Sequence, residues 1–514
     1  MERFKKSTNL SRIRKAEWPD SPEGGSDIFE PRHAYRKIKV VVDAHLLKSD
    51  YSEDAALSKE LLLENLLAAD LIKTYRYADN GPPEEVEPIV LEKHTWVLRN
   101  DAYVGWAVAH PFDEESGFWP VTYAESEKSF ASTFVGGNVV QFAETDDASK
   151  AYRELDRTER ALKRKADMLA YEVAVQGIEA DIFITDREYL LSGDSRLVAG
   201  RGVLVAGVKD AIPLLSLYLR AQGIYKLPTP TKNFNYSFNR GLFYWVGTRE
   251  LLPEGWRWFS ACVYHSSGSG DDRLLGLGGS TLSRVQRAIE ARDRVHVALN
   301  RKTNNDINDD ALGNLDHVLT LLMGAVDASA RVAHYVLDIS GNEYDAAWQK
   351  TDKWLKKVRI EEPALATLFD KGSTYWHALE ILRLLRNSVH GEALQGITLD
   401  ADGEVDTVMR LPRKDESAIL ASMDALDGRD AWGYKPFAPG YDNIKPGLLV
   451  DKLMEECIKL LNAIMKATPV ERLSHIEKAN LQNEPPTDKP SRGTLDTFSE
   501  WNRKAIRWQL GFWD

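Results

Sequence analysis

A chain of 514 residues is too long for one ordinary domain, and with 43% hydrophobic residues and 14 Trp it can bury sizeable cores. Its formal net charge of −12 argues against broad, nonspecific coating of nucleic acid, though not against one local basic groove. No apolar run reaches the roughly 18 residues of a membrane span. Met1 to Lys15 lacks the apolar stretch of a secretory signal, and the two distant cysteines, Cys262 and Cys457, fit a reducing cytoplasm.

In chain order, residues 1–33 read as an irregular polar arm. Ile38 to Val42 is the first predicted strand, and it ends on Asp43. Ser52 to Tyr75 carries Leu57, Leu61, Leu62, Leu66, Leu67 and Leu71 at helical spacing, which predicts one helix closed by Asn80-Gly81-Pro82-Pro83. Residues 87–142 read as an insertion or as further α/β structure. Asp147 to Gln176 predicts a long helix or helix pair stopped by Gly177. Ile182 to Ile184 is a short apolar strand with Asp181 before it and Asp186 just beyond it. Gly202 to Val205 predicts another strand, and Asp210 to Gln222 a helix with Pro213 in its first turn, where proline is tolerated. Strands alternating with helices predict a parallel α/β sheet over residues 34–227.

From Pro228 the texture changes. Residues 228–280 form an aromatic-rich connecting region, read as the core of a small β-rich subdomain or as a platform for stacking bases. Helices are predicted at 281–302, 311–338, 345–358 and 374–390, and from Leu448 to Ala467, making 281–470 an all-α bundle. Residues 471–514 read as a polar tail with a short terminal amphipathic segment, Phe498 to Trp513. The expected fold is therefore multidomain: a parallel-sheet α/β domain followed by a helical bundle.

Two constellations carry chemistry. In a parallel sheet, ligands gather at the carboxyl ends of the strands. Asp43 and Asp186 are expected there, and Asp167 rides the helix leading into the second strand. Crowded carboxylates repel unless a divalent cation neutralises them, and such a site can promote phosphodiester cleavage. Each acid also has a plainer reading: Asp43 as a helix cap, Asp186 as a turn opener, Asp167 as a solvated helix residue. The set Val40-Val41-Val42-Asp43, Asp167 with Ala170, and Ile182-Phe183-Ile184-Thr185-Asp186 resembles the PIN nuclease family over roughly residues 35–225. That resemblance implies metal-dependent RNA cleavage with Mg²⁺ or Mn²⁺. Asp43, Asp167 and Asp186 would be the metal ligands and catalytic acids, with Asp181 and Glu64 as helpers. For the family's middle Glu, Glu64 and Glu60 come first, with Glu154, Glu159 and Glu172 as rivals.

The second constellation lies on the predicted helix Tyr375 to Val389, with Leu379, Leu382, Leu385 and Val389 inward. Arg383, Arg386 and His390 fall at i, i+3 and i+7 and share a face beside Asn387. Arg can grip a phosphate, and His can move a proton between a ribose hydroxyl and a leaving oxygen without metal. The plainer reading pairs the arginines with surface acids such as Glu380. Leu385-Arg386-Asn387-Ser388-Val389-His390-Gly391 resembles the HEPN family of helical ribonucleases over about residues 300–470, with three residues between Arg386 and His390 and six between Arg383 and His390. It implies a homodimer through the helical domain, with RNA (tRNA or mRNA) as target, Arg383, Arg386 and His390 catalytic, and Asn387 at the nucleic acid. The helix that carries Asp167 is locally basic, so Arg160 and Arg164 are further candidates for a phosphate backbone; interleaved acids allow a salt-bridged solvent face instead.

The combined expectation is a cytoplasmic ribonuclease acting as a toxin or antiviral defence protein. One alternative is a noncatalytic RNA- or ligand-binding scaffold. Another is a phosphohydrolase acting on a small nucleotide.

Overall fold

The computed structural model describes residues 37–47, 58–79, 104–126, 129–136, 138–146, 148–192, 203–228, 235–301, 305–349, 352–391, 394–401, 404–438, 441–476, 481 and 500–513. The chain divides into Met1–Lys37 and Ile38–Asp514. The arm expected at 1–33 lies outside the described residues; among the described residues, the second unit holds every strand and helix.

The first part of that unit is an α/β region built on a seven-stranded sheet. The strands are β1 (Ile38–Asp43), β2 (Ile72–Tyr77), β3 (Val104–Ala109), β4 (Phe118–Ser126), β5 (Ser129–Gly136), β6 (Ile182–Ile184) and β7 (Leu204–Ala206), in the order β5-β4-β3-β2-β1-β6-β7. β3, β2, β1, β6 and β7 run parallel, whereas β4 and β5 form an antiparallel extension. The sheet is thus mixed, with the excess between 87 and 142 supplying its antiparallel edge.

The helix expected from Ser52 to Tyr75 stops early. Helix α1 covers Lys59–Leu67, capped by Ser58, whose Oγ accepts from Leu61 N. The next residues, Ile72-Lys73-Thr74-Tyr75-Arg76-Tyr77, rich in β-branched and aromatic side chains, form β2 with buried residues on both faces. Helices α2 (Asn138–Glu144) and α3 (Arg157–Glu172) follow; Asp156 caps α3 by accepting from Thr158 N and Glu159 N at 2.8 and 2.9 Å. A π-turn, Val173–Gly177, carries the chain into β6. Short α4 (Glu188–Leu191) and α5 (Val208–Ala221) complete the region. Because α5 starts at Val208, Pro213 sits inside the helix, past the first turn expected for it.

The two faces of the sheet enter different cores. Val41, Tyr75, Tyr77 and Phe183 pack with Met168, Ala170 and Tyr171 of α3. Val40, Val42, Ile182 and Ile184 pack on the other side with Leu62 and Leu63 of α1 and Ile212 and Leu215 of α5. That second core continues without a break into the rest of the molecule, through Leu312, Leu379 and Leu453.

The remainder is mostly helical. The aromatic stretch expected to be β-rich is instead helix α6 (Arg240–Leu251) and helix α7 (Pro253–Ser269), after a small hairpin of β8 (Lys226–Pro228) and β9 (Asn235–Ser237). Its rings fill helix contacts: Phe243 and Trp258 are fully buried. Long helices α8 (Arg273–Leu299) and α9 (Asn305–Val336) pack against each other along their lengths. They are joined by α10 (Asp352–Glu361), α11 (Pro363–Thr367), α12 (Thr374–Gly391), α13 (Glu416–Asp424), α14 (Pro446–Ala467) and α15 (Glu500–Gln509). The bundle is not purely helical. Strands β10 (Gly396–Ala401), β11 (Glu404–Arg410), β12 (Tyr434–Ala438) and β13 (Tyr441–Ile444) form an antiparallel sheet in the order β10-β11-β13-β12. Among the described residues, no helix is long and apolar enough to cross a membrane.

Candidate active site at the carboxyl edge of the parallel strands

β1 and β6 lie in register, Val41 beside Phe183 and Val42 beside Ile184, and β1 and β2 pair Asp43 with Tyr77. Side chains alternate between faces, so residues two apart share a face. Three series therefore run to the carboxyl edge on the α3 side: Val41 and Asp43; Tyr75, Tyr77 and Asp79; Phe183, Thr185 and Arg187.

Arg187 is where these series meet. Its Nε donates to Asp43 Oδ2 at 3.0 Å and Nη2 to Asp43 Oδ1 at 2.9 Å, a two-point grip. Nη2 also reaches Asp79 at 3.0 and 3.1 Å. Nη1 reaches Asp167 Oδ1 at 3.2 Å, from α3 above the sheet. Thr185 donates its hydroxyl to Asp43 Oδ2. The guanidinium lies 5.5 Å from the centre of the Tyr77 ring. Asp43 and Asp167 are buried, and the Arg187 side chain is only 10% exposed.

Asp167 is held from its other side by Tyr152, whose hydroxyl donates to Oδ2 at 2.6 Å. The same hydroxyl accepts from Glu188 N, and Tyr152 N donates to Glu188 Oε1. Tyr152 has φ +58°, a left-handed conformation costly for a bulky residue, so its place is imposed by its surroundings. Burial pushes the Asp167 carboxyl up to about 6, against the lowering effect of the Tyr152 and Arg187 hydrogen bonds; the neighbouring Asp43 charge adds to the rise. Burial and the bond to Asp167 raise the Tyr152 phenol, which stays protonated as the donor.

The other expected ligands stand elsewhere. Asp186 has the opposite parity to Thr185 and Arg187; it turns outward and pairs with His45 Nε2 at 2.9 Å, both side chains 59% exposed. Asp181 lies at the other end of β6, where Oδ2 accepts from Lys39 N at 2.9 Å. Lys39 precedes Asp43 by four residues, roughly 13 Å along a strand. Glu64 is buried on α1, beneath the opposite face of the sheet. Of the rival acids, Glu172 is buried on α3 and accepts from Gln176, while Glu154 and Glu159 are exposed. Thus Asp43 and Asp167 come together as expected, Asp186, Asp181 and Glu64 do not join them, and Asp79 and Arg187 are members that sequence reasoning missed.

The donor atoms suit a hard divalent cation, but their arrangement does not. Carboxylate oxygens bonded to a guanidinium stand about 4 Å from its central carbon, whereas Mg²⁺ asks for about 2.0–2.1 Å. The cluster is open to nearly twice the radius an ion needs, and among the described residues no group of three or more His, Cys, Asp or Glu is placed to hold a metal.

The candidate nucleic-acid contacts also resolve. Arg164 is buried and donates to the carbonyls of Ala143 and Glu144 at 3.0 and 3.1 Å, fastening the end of α2 rather than facing solvent. Arg160 is half-buried and donates to Leu155 O at 3.2 Å. On α12, Arg383 is bound in two-point fashion by Glu380 at 2.8 and 3.0 Å, the plainer pairing anticipated for it. Arg386 is half-buried and Asn387 exposed. His390 lies in the last turn of α12, with its side chain outside the described residues.

Compared with protein-family models, with curated proteins and with solved structures, the chain matches none.

Proposed function

We propose that this protein is an RNA-cleaving phosphodiesterase in which a PIN-like α/β module is joined to a HEPN-like helical region, and that its present arrangement is a closed state. The observation that carries the reading is the gathering of Asp43, Asp79 and Asp167 at the carboxyl ends of parallel strands, on one face, beneath a helix. Two buried carboxylates, Asp43 and Asp167, share one guanidinium with the exposed Asp79, which leaves a formal excess of negative charge on the buried pair. Burying uncompensated charge costs free energy that a purely structural cluster has no need to spend. Asp167, whose carboxyl burial raises, is a perturbed acid of the kind that marks functional sites more often than chance.

A second reading has its own support. With Arg187 fixed by hydrogen bonds to all three acids, the same cluster can serve as a structural clasp of a noncatalytic RNA-binding scaffold.

Incubation of the full-length protein with total RNA separates the readings, run with Mg²⁺, with Mn²⁺ and with EDTA, alongside Asp43→Asn and His390→Ala. Cleavage that EDTA and Asp43→Asn abolish assigns activity to the α/β module. Cleavage that survives EDTA and fails only in His390→Ala assigns it to α12. No cleavage under any condition, by wild type or by Arg187→Gln, in which the guanidinium that closes the cluster is gone, leaves the scaffold.

A further inference from the structure

We infer that Arg187 is the resident cation of the acid cluster and the gate to it: a divalent ion and the Arg187 guanidinium cannot occupy the cluster together. This deepens the phosphodiesterase reading by assigning the regulation of its site, and it rests on that reading for its biological meaning alone.

Arg187 bonds all three carboxylates that an ion would need, so no oxygen pair is left to begin coordination without breaking its hold. Bridging around a planar guanidinium keeps the carboxylates about 4 Å from the centre, and they must close by about 2 Å to reach an ion. The charge arithmetic points the same way. Asp43, Asp79 and Asp167 sum to −3 and Arg187 returns +1, leaving −2, the charge that a divalent ion would cancel once the arginine had left. The surroundings favour exchange over collapse. Asp79 is exposed, giving the guanidinium a route towards solvent, while Thr185 and Tyr152 hold Asp43 and Asp167 through hydrogen bonds that do not pass through the guanidinium. Arg187 also sits immediately before α4, a four-residue helix, so its displacement need not disturb β6.

An ion that binds only molecules with the arginine displaced has its apparent affinity reduced by the fraction so displaced. Removing the guanidinium removes that reduction. Full-length wild type, Arg187→Gln and the double variant Arg187→Gln with Asp43→Asn are titrated with Mn²⁺ at pH 7.5, free Mn²⁺ being read by electron paramagnetic resonance and folding by circular dichroism. The expected result is one Mn²⁺ bound by Arg187→Gln about tenfold or more tightly than by wild type, and lost in the double variant. Folded Arg187→Gln that takes up Mn²⁺ no better than wild type overturns the inference, as does gained binding that Asp43→Asn leaves intact. Should the Gln variant not fold, Arg187→Lys keeps a positive charge but holds fewer oxygens. It is expected to bind Mn²⁺ more tightly than wild type, and equal affinity overturns the inference. Because the readout is ion binding, a protein that gains Mn²⁺ on loss of Arg187 yet cleaves no RNA would sustain the gate and sink the phosphodiesterase reading alone.

Discussion

At the level of single residues, the cluster is a lesson in strand parity. Asp186 stands out in the sequence because it follows Ile182-Phe183-Ile184-Thr185, but a side chain that shares a face with Asp43 must alternate with Phe183, and that selects Thr185 and Arg187. The signal is present in the chain and points one residue beyond the acid. Asp167 is the member whose protonation reports on the cluster. Its folded-state value is raised from the ordinary 3.8 to about 6, so the protonated form is favoured by folding. Its stabilising contribution is complete below pH 3.8 and is lost as pH rises through about 6, a difference of about 3 kcal/mol. Asp167→Asn cannot ionise and escapes that loss. Urea unfolding of the variant and the wild type at pH 4 and pH 7.5 should show the stability difference moving in favour of the variant by about 2–3 kcal/mol as pH rises. A difference independent of pH would mean that Asp167 keeps an ordinary carboxyl.

At the level of elements, β1 and β6 were legible as apolar runs bounded by acids, and α3 and the long helices by their sustained periodicity, but not the helix starts: α3 begins at Arg157 and not Asp147, and α8 at Arg273, inside the segment read as a connecting region. Asp79 was not, for a definable reason. Leu61, Leu62, Leu66, Leu67 and Leu71 keep helical spacing across the short break at residues 68–71, so α1 and β2 merge in the sequence and the acid beyond β2 loses its strand. The sheet β10–β13 was hidden by its Asp- and Gly-bearing segments between predicted helices, and the aromatic stretch of α6 and α7 by the preference of aromatics for strands. The terminal amphipathic segment did announce itself, and α15 docks through its apolar face. Ile506, Trp508 and Leu510 are buried, and Gln509 O accepts from the buried Arg220 at 3.1 Å. Leu510 O accepts from Arg292 at 2.6 Å, and Arg503 pairs with Glu250 at 2.7 Å. The helix therefore pins α5 of the sheet region to α6 and α8 of the helical region. Ile506→Ala, which opens a cavity at a fully buried site, should cost about 2–4 kcal/mol in urea unfolding. A cost under about 1 kcal/mol would mean that α15 lies on the surface without holding the regions together.

For the whole molecule, the boundary drawn at residue 228 by composition is a change of texture and not a gap in the core. Val40, Val42, Ile182 and Ile184 on one face of the sheet belong to the same buried cluster as Val285 and Ile289 of α8, Leu319 of α9 and Leu453 of α14. The buried Arg220–Asp293 pair, at 2.7 Å, crosses the same boundary, with Tyr244 donating to the same Asp293 oxygen. Cutting there would strip Arg220 of its Asp293 partner and leave an apolar face of the sheet bare to water. This shared core has two measurable consequences. Full-length protein should unfold in a single calorimetric transition whose van't Hoff and calorimetric enthalpies agree, because neither region keeps a complete core without the other. A fragment of residues 38–228 should expose apolar surface, binding the dye ANS and lacking the near-ultraviolet dichroism of packed aromatics. Two resolved transitions, together with a fragment that is cooperative and dye-silent, would show the sheet region to be self-sufficient. The Arg187 cluster would then have to be stable without the helical region behind it.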